Sequence, residues 1–361
     1  ILRDGMANNL HVGAQLHVAA AGKPIADIAL GLAAPGREMT PDSMMTWLST
    51  SKIAASLMLA RLWQEGHFDL DDPVAKLIPE FAARGKEAIT IRHVWTHTCG
   101  LLHIEDRLLS VRYAQTPAEN IALICAAPAG RDWPPGRRAG YQTAAAPLIW
   151  GEIVARIRGG DFREIMRAEI FLPLGMKDSW LGMPLEIVAQ YRERLGRTFD
   201  TSGPTPKPEG SFAPDAPHQL AHVMPGGNGR GPMRELARLL ETLRRRGAGF
   251  LAPQTVEAMI ARQRTGLIDE SWGAVLDWGL GLTLDSKIHH AGAAHLYGYG
   301  RHASARTFGH SGFRTTLAMC DPDADLVIAC SWNGMVADDA IHSARQNALC
   351  DAIYGDLGFA P

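Results

Sequence analysis

Hydrophobic residues at both ends of the chain follow patterns that are typical of strands. Residues 11–33 hold two apolar runs around a turn at Gly22-Lys23-Pro24, which predicts a pair of strands. Towards the other end, residues 278–285 form a further candidate strand, and residues 314–333 predict a hairpin closed by residues 321–325. These positions favour one sheet assembled from both ends of the chain.

Helical patterns fill the middle of the chain. Residues 49–65 are apolar nearly all round, and Gly66 is a typical stop signal after them. A short helix is predicted to end at Gly100. Helical signals then dominate residues 116–262, and a last helix is expected at about 337–354.

The order of these elements predicts the α/β (α+β) class, with an antiparallel sheet built from both chain termini and flanked by helices. We expect one domain from residues 1–80 and 266–361, a mostly helical inserted domain at 81–265, and an active site between the two. Within the insertion, residues 200–232 are dense in glycine and proline. A loop of that length in a compact domain is usually a functional lid or a mobile connection.

Composition narrows the class of partner. With 46% hydrophobic and 20% charged residues, the 361-residue chain has the balance of a folded globular protein. A formal net charge of -2 and a pI of about 6.7 give no reason to expect nucleic acid or an anionic membrane as a partner. No apolar run approaches the roughly 20 residues that span a bilayer.

The number and spacing of the cysteines indicate whether the protein resides in an oxidising or a reducing compartment. Five of them are scattered widely along the chain, which does not predict a disulfide framework, and each is expected to be a small buried hydrophobic residue. The first residues lack the apolar core of a signal peptide. We therefore expect a cytoplasmic protein.

One residue does not suit its place in the helix predicted at 49–65. Lys52 lies in the first turn, where the helix dipole disfavours a cation by about 0.3–1 kcal/mol. Ser49 lies three residues earlier, on the same face. Burial and the helix end both lower the pKa of a lysine, so a neutral Lys52 amine can activate the Ser49 hydroxyl. The alternative is a helix cap at Ser49 and a lysine that extends to solvent.

Two further motifs are candidates for chemistry. Tyr141 follows a Pro-Gly turn and precedes a predicted helix, where a phenol can relay protons if a cation lowers its pKa. The alternative is a core tyrosine next to a helix cap at Thr143. The second motif, His310-Ser311-Gly312, begins a predicted strand. Its glycine allows a ligand to approach the backbone, whose N–H groups can then hold an oxyanion.

Together and in this order, the three motifs resemble those of the serine β-lactamase-like superfamily. It includes class C β-lactamases, penicillin-binding proteins, D-aminopeptidases and family VIII carboxylesterases. The segment "ITIRHVWTHTCGL" is similar to the I-T-I-R-H-L-L-T-H-T-S-G-L of that family, with Cys99 in place of serine, and "FGHSGF" takes the place of K-T-G. The resemblance covers roughly residues 12–334.

The resemblance implies roles for individual residues. Ser49 would be the acylated nucleophile, Lys52 its base, and Tyr141 the second proton carrier. The backbone N–H groups of Ser49 and Phe313 would form the oxyanion hole, and His310 would take the first place of the K-T-G motif.

Two departures from the family pattern bear on the substrate. The tyrosine motif is Tyr141-Gln142-Thr143, without the asparagine common at its third position, and His310 replaces a lysine. Thr143, Ser311 and Gly312 would then contact the substrate. A histidine is neutral for much of the time near pH 7 if its pKa is near 6.5, so the permanent cation suited to a β-lactam carboxylate is missing. Both changes argue against a dedicated β-lactamase.

The leading hypothesis is a serine hydrolase that forms an acyl-enzyme on a small-molecule carboxylic ester or amide, without a cofactor. An acyltransferase on the same scaffold and a catalytically inactive binding module are the alternatives. His289, His290 and His295 are close in sequence, as in some metal enzymes, but they lack the spacing of a helical zinc site, and we interpret them as loop surface. Nothing in the sequence indicates an oligomeric state.

Overall fold

The computed structural model describes residues 1–209, 216–290 and 298–359. Its strands, numbered along the chain, are β1 Gly13–Ala20, β2 Lys23–Ala34, β3 Arg37–Glu38, β4 Met45–Thr46, β5 Trp180–Leu181, β6 Phe199–Asp200, β7 Lys207–Pro208, β8 Gly229–Gly231, β9 Ile268–Asp269, β10 Ala274–Val275, β11 Thr283–Leu284, β12 Phe308–Gly312, β13 Thr316–Asp321, β14 Leu326–Trp332 and β15 Gly334–Met335.

The helices are numbered in the same way. They are α1 Leu2–Ala7, α2 Ser51–Gln64, α3 Ile91–Trp95, α4 Glu105–Val111, α5 Pro117–Ala126, α6 Ala145–Arg158, α7 Phe162–Met166, α8 Leu185–Tyr191, α9 Pro217–Leu220, α10 Met233–Arg244, α11 Pro253–Ile260 and α12 Asp339–Asp356.

The main sheet is antiparallel and runs in the order β11-β12-β13-β14-β1-β2-β3. Its centre joins the two ends of the chain, because β1 pairs with β14 from Ala14 opposite Trp332 to Ala20 opposite Leu326. The predicted fold class, with one antiparallel sheet built from both termini, is confirmed. The domain boundaries proposed at residues 80 and 265 stay predictions.

Both faces of the central strands are covered by helices. Alternate residues of β13 and β14 pack either into the core around α2 and α10 or into a second core with α12. Every residue of β14 is therefore buried. This explains why its sequence is a nearly continuous apolar run, broken only by Ser331, and not an alternation, since a strand covered on both faces needs no polar side.

Most predicted elements are present, with shifted ends. The first hairpin turns at Ala21 and Gly22, both with positive φ, one residue earlier than predicted. The hairpin closed by residues 321–325 and the final helix are confirmed. The candidate strand at 278–285 is reduced to β11, because Gly281 takes a left-handed conformation with φ of +69°.

Two helix ends also differ from the prediction. A 3₁₀ turn at Leu48–Thr50 precedes α2, so the predicted helix at 49–65 begins with tighter geometry than expected. The short helix predicted to end at Gly100 ends at Trp95. His97 has a φ of +58°, which a right-handed helix cannot contain.

The Gly/Pro-rich segment at 200–232 is only partly described. It contains the short elements β7, α9 and β8, and residues 210–215 lie outside the described residues. Its last part, β8, pairs with β4 directly before the nucleophile turn. Among the described residues, no helix combines the length and the apolar character needed to cross a membrane.

Candidate active site

A strained turn carries Ser49. Leu48, the residue before it, has a φ of +48°, a left-handed conformation that costs an L-residue roughly 1–2 kcal/mol. Neighbouring strands hold the turn, because the Thr316 hydroxyl donates to the Trp47 carbonyl at 2.8 Å. Strain of this kind persists where the surroundings over-determine the backbone, and it is concentrated at functional sites.

Ser49, Lys52 and Tyr141 meet in space. Lys52 Nζ lies 3.2 Å from Ser49 Oγ, and the Tyr141 hydroxyl donates to the same oxygen at 2.8 Å. The helix-cap alternative for this motif is wrong, because the Lys52 side chain is buried and α2 has no side-chain cap at its start. The serine oxygen therefore has a proton acceptor and a hydrogen-bond donor beside it.

The surroundings of Lys52 favour its neutral form. Burial lowers the pKa of Lys52 to about 7, and the Glu105 carboxylate acts in the opposite direction by raising it. Its Nζ also donates to the backbone carbonyl of Gly226 at 2.9 Å and to that of Thr143 at 3.4 Å. Lys52 is thus oriented by backbone carbonyls and is partly deprotonated at neutral pH.

Tyr141 differs from the prediction in its acidity. The sequence predicts proton relay by this phenol if a cation lowers its pKa. That condition is not met, because burial raises the pKa of Tyr141 and the hydrogen bond with Ser49 offsets only part of this rise. Its ring packs between His97 and Trp278, with ring centroids 4.8 and 5.7 Å away. Tyr141 therefore keeps its proton at neutral pH and acts first as a donor.

His310 lines the same site from β12, with its ring centroid 5.9 Å from that of Tyr141. Burial, and then the charge of Lys52, lowers the pKa of His310 to about 3, so it is neutral at pH 7 more completely than a pKa of 6.5 implies. Its Nδ1 donates to the Ser311 carbonyl at 2.7 Å. Its Nε2 is then an acceptor, buried and without a partner among the described residues.

The other predicted residues surround the nucleophile. Gly312 ends β12 against the serine turn, and a Cβ at this position would collide with the Trp47 carbonyl and the Thr316 hydroxyl. Glycine therefore lets β12 pack closely against the serine turn, and the approach of a ligand to this backbone stays a prediction. Thr143, Ser311 and Phe313 line the cavity beside Ser49.

The cavity in front of Ser49 has a volume of about 540 Å³. Most of its wall is apolar or aromatic, which suits an uncharged organic group more than an ion. Residues on either side of position 265 contribute to this wall, which includes Leu102, Leu109, Tyr113, Met224, Trp272, Leu276 and Trp278.

Comparison with known proteins agrees with this geometry. The family model described as Beta-lactamase matches residues 1–351. The chain belongs to the Beta-lactamase family. Esterase EstB of Burkholderia gladioli is 30% identical over 305 residues, which cover 75% of this chain and 74% of that protein.

Solved structures of the same fold extend over nearly the whole chain. EstCE1, described as a hydrolase with promiscuous acyltransferase activity, superposes with a TM-score of 0.82 at 20% identity, covering 98% of this chain and 96% of that one. A penicillin-binding protein homologue from Caulobacter crescentus gives 0.77 at 25% identity, with the same two coverages. The resemblance drawn from the motifs is thereby confirmed, and the chain is a β-lactamase-like serine enzyme.

Sequence reasoning missed four buried residues that shape this Beta-lactamase-family site: Glu105, Asp269, His97 and Trp278. Glu105 follows the "THTCGLL" segment without a recognisable spacing to Lys52, and Asp269 lies far from both motifs in sequence. His97 was visible only as part of the family segment. Glu105 is followed directly by Asp106 and Arg107, so its sequence neighbours gave no signal that this carboxyl group is buried.

The histidine cluster is not assembled in the way a metal site requires. His289 Nε2 lies 3.1 Å from Asp277 Oδ1, and His290 Nε2 lies 2.8 Å from the Val275 carbonyl. His295 lies outside the described residues. Among the residues that are described, no three histidine, cysteine or acidic side chains converge as metal ligands.

Proposed function

We propose that this protein is a serine hydrolase that cleaves small carboxylic esters through an acyl-enzyme on Ser49. The observation that carries the proposal is the convergence of Lys52 Nζ and the Tyr141 hydroxyl on Ser49 Oγ. This trio opens into a mostly apolar cavity of about 540 Å³. The related Esterase EstB supports an ester as the substrate.

In the acylation step, neutral Lys52 accepts the Ser49 proton while Ser49 Oγ attacks the ester carbonyl carbon. We assign the oxyanion to the backbone N–H groups of Ser49 and Phe313, since β12 ends directly beside the serine turn. Tyr141, still protonated, donates to the leaving alkoxide and is reprotonated from Lys52. The products are the alcohol and an ester of Ser49.

Deacylation runs the same proton path in reverse. A water molecule takes the place of the alcohol, and its oxygen attacks the carbonyl carbon of the Ser49 ester. As it attacks, the water gives a proton to the Tyr141 oxygen while Tyr141 passes its own proton to neutral Lys52. Collapse of this intermediate returns the proton to Ser49 Oγ and releases the carboxylic acid.

The polar groups of the cavity favour an uncharged ester over a β-lactam. A β-lactam antibiotic carries a carboxylate, and the position that would face it holds His310, which is neutral because its pKa is lowered to about 3. Thr143 stands where the family commonly has asparagine, so the amide that holds the side chain of such substrates is absent.

We therefore expect clear hydrolysis of short-chain aryl esters and weak or absent turnover of nitrocefin. The measurement is kcat/KM for both substrates with one enzyme preparation. Nitrocefin hydrolysis in the ordinary enzyme range, about 10⁴–10⁸ M⁻¹s⁻¹, would contradict the preference for esters.

Acyl transfer is the second candidate, because EstCE1 is described as having promiscuous acyltransferase activity. Both reactions share the Ser49 ester, so the competing nucleophile decides between them. An activated ester is offered together with a graded series of amines and alcohols, and free acid and transfer product are quantified by mass spectrometry.

For a hydrolase, transfer should rise only in proportion to acceptor concentration. Saturable and selective capture by one acceptor at millimolar concentration would make hydrolysis the side reaction. That result would replace the hydrolase proposal with the transferase.

We further propose a reducing, cytoplasmic location. All five cysteines are buried and unpaired. Persistent disulfides are characteristic of oxidising compartments, and this chain forms none of them among its cysteines.

A further inference from the structure

The segment that carries Tyr141 has little support of its own. It follows the turn "WPPG" and enters α6 without a side-chain cap, so the alternative of a helix cap at Thr143 is wrong. Yet Tyr141 and the Thr143 carbonyl must both hold their places, since one contacts Ser49 and the other Lys52. Something outside the segment has to orient it.

We propose that two buried carboxylates, Glu105 and Asp269, are positioning residues that clamp the backbone of residues 141–145 from opposite sides. They thereby keep Tyr141 and the Thr143 carbonyl aligned with Ser49 and Lys52. This inference rests on the proposed function of Ser49, Lys52 and Tyr141.

Asp269 holds the beginning of the segment. Its Oδ1 accepts the Tyr141 N–H at 3.1 Å, and the Ser271 hydroxyl donates to the Tyr141 carbonyl at 3.0 Å. Arg264 fixes the carboxylate in turn, with its guanidinium 2.9 Å from Asp269 Oδ2. Arg264 also lies over the Trp278 ring, which is part of the cavity wall. The ion pair of Arg264 and Asp269 therefore orients the Tyr141 backbone and this part of the wall together.

Glu105 holds the end of the segment. Its Oε2 accepts the Ala144 N–H and its Oε1 the Ala145 N–H, both at 2.8 Å. These are among the N–H groups that the first turn of α6 leaves without an intrahelical partner. A negative charge at a helix N-terminus is also favoured by the dipole. Glu105 thus replaces the missing local cap from a distant position in the sequence.

The two carboxylates differ in what they do to Lys52. The titratable groups that face Lys52 are Glu105 from α4, Tyr141, His97 and His310. Of these, Glu105 is the acid, and its carboxylate raises the Lys52 pKa against the effect of burial. Burial raises the pKa of Glu105 itself, and the hydrogen bonds from the Ala145 and Ala144 N–H groups act against that rise. Asp269 has no such influence, so the two halves of the clamp can be told apart by pH.

The test compares Glu105→Gln and Asp269→Asn with the wild type and with Glu257→Gln. Glutamine has one acceptor oxygen in place of two, so at least one of the Ala144 and Ala145 bonds is lost. Glu257 is an exposed carboxylate on α11 whose nearest cation is Arg246 at 3.8 Å, so its loss controls for removing a charge.

Both clamp variants should lower kcat on the order of 10²-fold with KM little changed, since a displacement of about 1 Å at the reacting groups has that effect. Only Glu105→Gln should shift the acid limb of kcat/KM to lower pH, because Lys52 loses the charge that raises its pKa. Glu257→Gln should match the wild type in both. Unchanged rates, or an acid limb that does not move in Glu105→Gln, would overturn the clamp.

A measurement on the unmodified protein guards against a variant that does not fold. Amide hydrogen exchange should show strong protection at Tyr141, Ala144 and Ala145, and rapid exchange there would also overturn the proposal. Covalent labelling of wild-type Ser49 by a fluorophosphonate distinguishes a failure of the proposed function from a failure of the clamp. If the label is absent, the proposed function fails. If it is present and the clamp variants behave as wild type, the clamp alone fails.

Discussion

Ser49→Ala is expected to abolish ester turnover, with kcat reduced on the order of 10⁶-fold, the size of loss that removal of the nucleophile causes in another serine hydrolase. The reason is that Lys52 and Tyr141 both act on Ser49 Oγ. Without that oxygen, no nucleophile remains for them to activate. The measurement is hydrolysis of an aryl ester by purified wild type and variant, each checked for folding by circular dichroism.

Ser51→Ala is the matched control for this experiment. Ser51 is a buried serine in the same turn, but its hydroxyl donates to the Leu48 carbonyl at 2.5 Å and accepts the Gly229 N–H at 2.9 Å. It should lose stability and keep measurable turnover while folded. Equal loss of activity in both variants would mean that position 49 matters for structure and not for chemistry.

Lys52→Met is expected to lower kcat/KM by about 10²–10⁴-fold, the usual contribution of a general base. Methionine keeps much of the side-chain volume and removes only the amine. The variant should stay folded, because Lys52 is buried and a charged amine is costly to bury. An apolar side chain at this position avoids that cost.

The same residue predicts the pH profile. Lys52 acts as a base only when neutral, and its pKa is lowered to about 7. In the wild type, kcat/KM should therefore fall about tenfold for each pH unit below 7 and level off above it. An acid limb near pH 4–5 would point to a carboxylate base and contradict the assignment to Lys52.

Local patterns were enough to find part of this site. Ser49 and Lys52 are three residues apart, and the 3₁₀ turn that runs directly into α2 keeps them on one face, so their proximity follows from helical geometry. The hairpins and the buried strand β14 likewise depend on neighbouring residues. Tyr141 and His310 were found as candidates from local motifs, and the resemblance then gave them roles. Their places against Ser49 depend on contacts between distant parts of the chain.

What could not be predicted depends on tertiary structure. The direction of the Tyr141 pKa is one example, since it rises because the fold buries the phenol. Glu105 caps α6 from another helix, and Asp269 accepts from Tyr141 across 128 residues. No local spacing encodes such pairs. The burial of His310 could not be predicted from the residues next to it in sequence either.

The most direct test of the proposed acyl-enzyme on Ser49 is to locate the covalent adduct. Wild-type protein is treated with a fluorophosphonate, digested with trypsin and sequenced by tandem mass spectrometry. The relevant peptide, residues 38–52, also contains Ser43 and Ser51, so fragment ions must assign the modified position. We expect one adduct, on Ser49, that is absent from Ser49→Ala. An adduct on another residue, or labelling undiminished in Ser49→Ala, would contradict it.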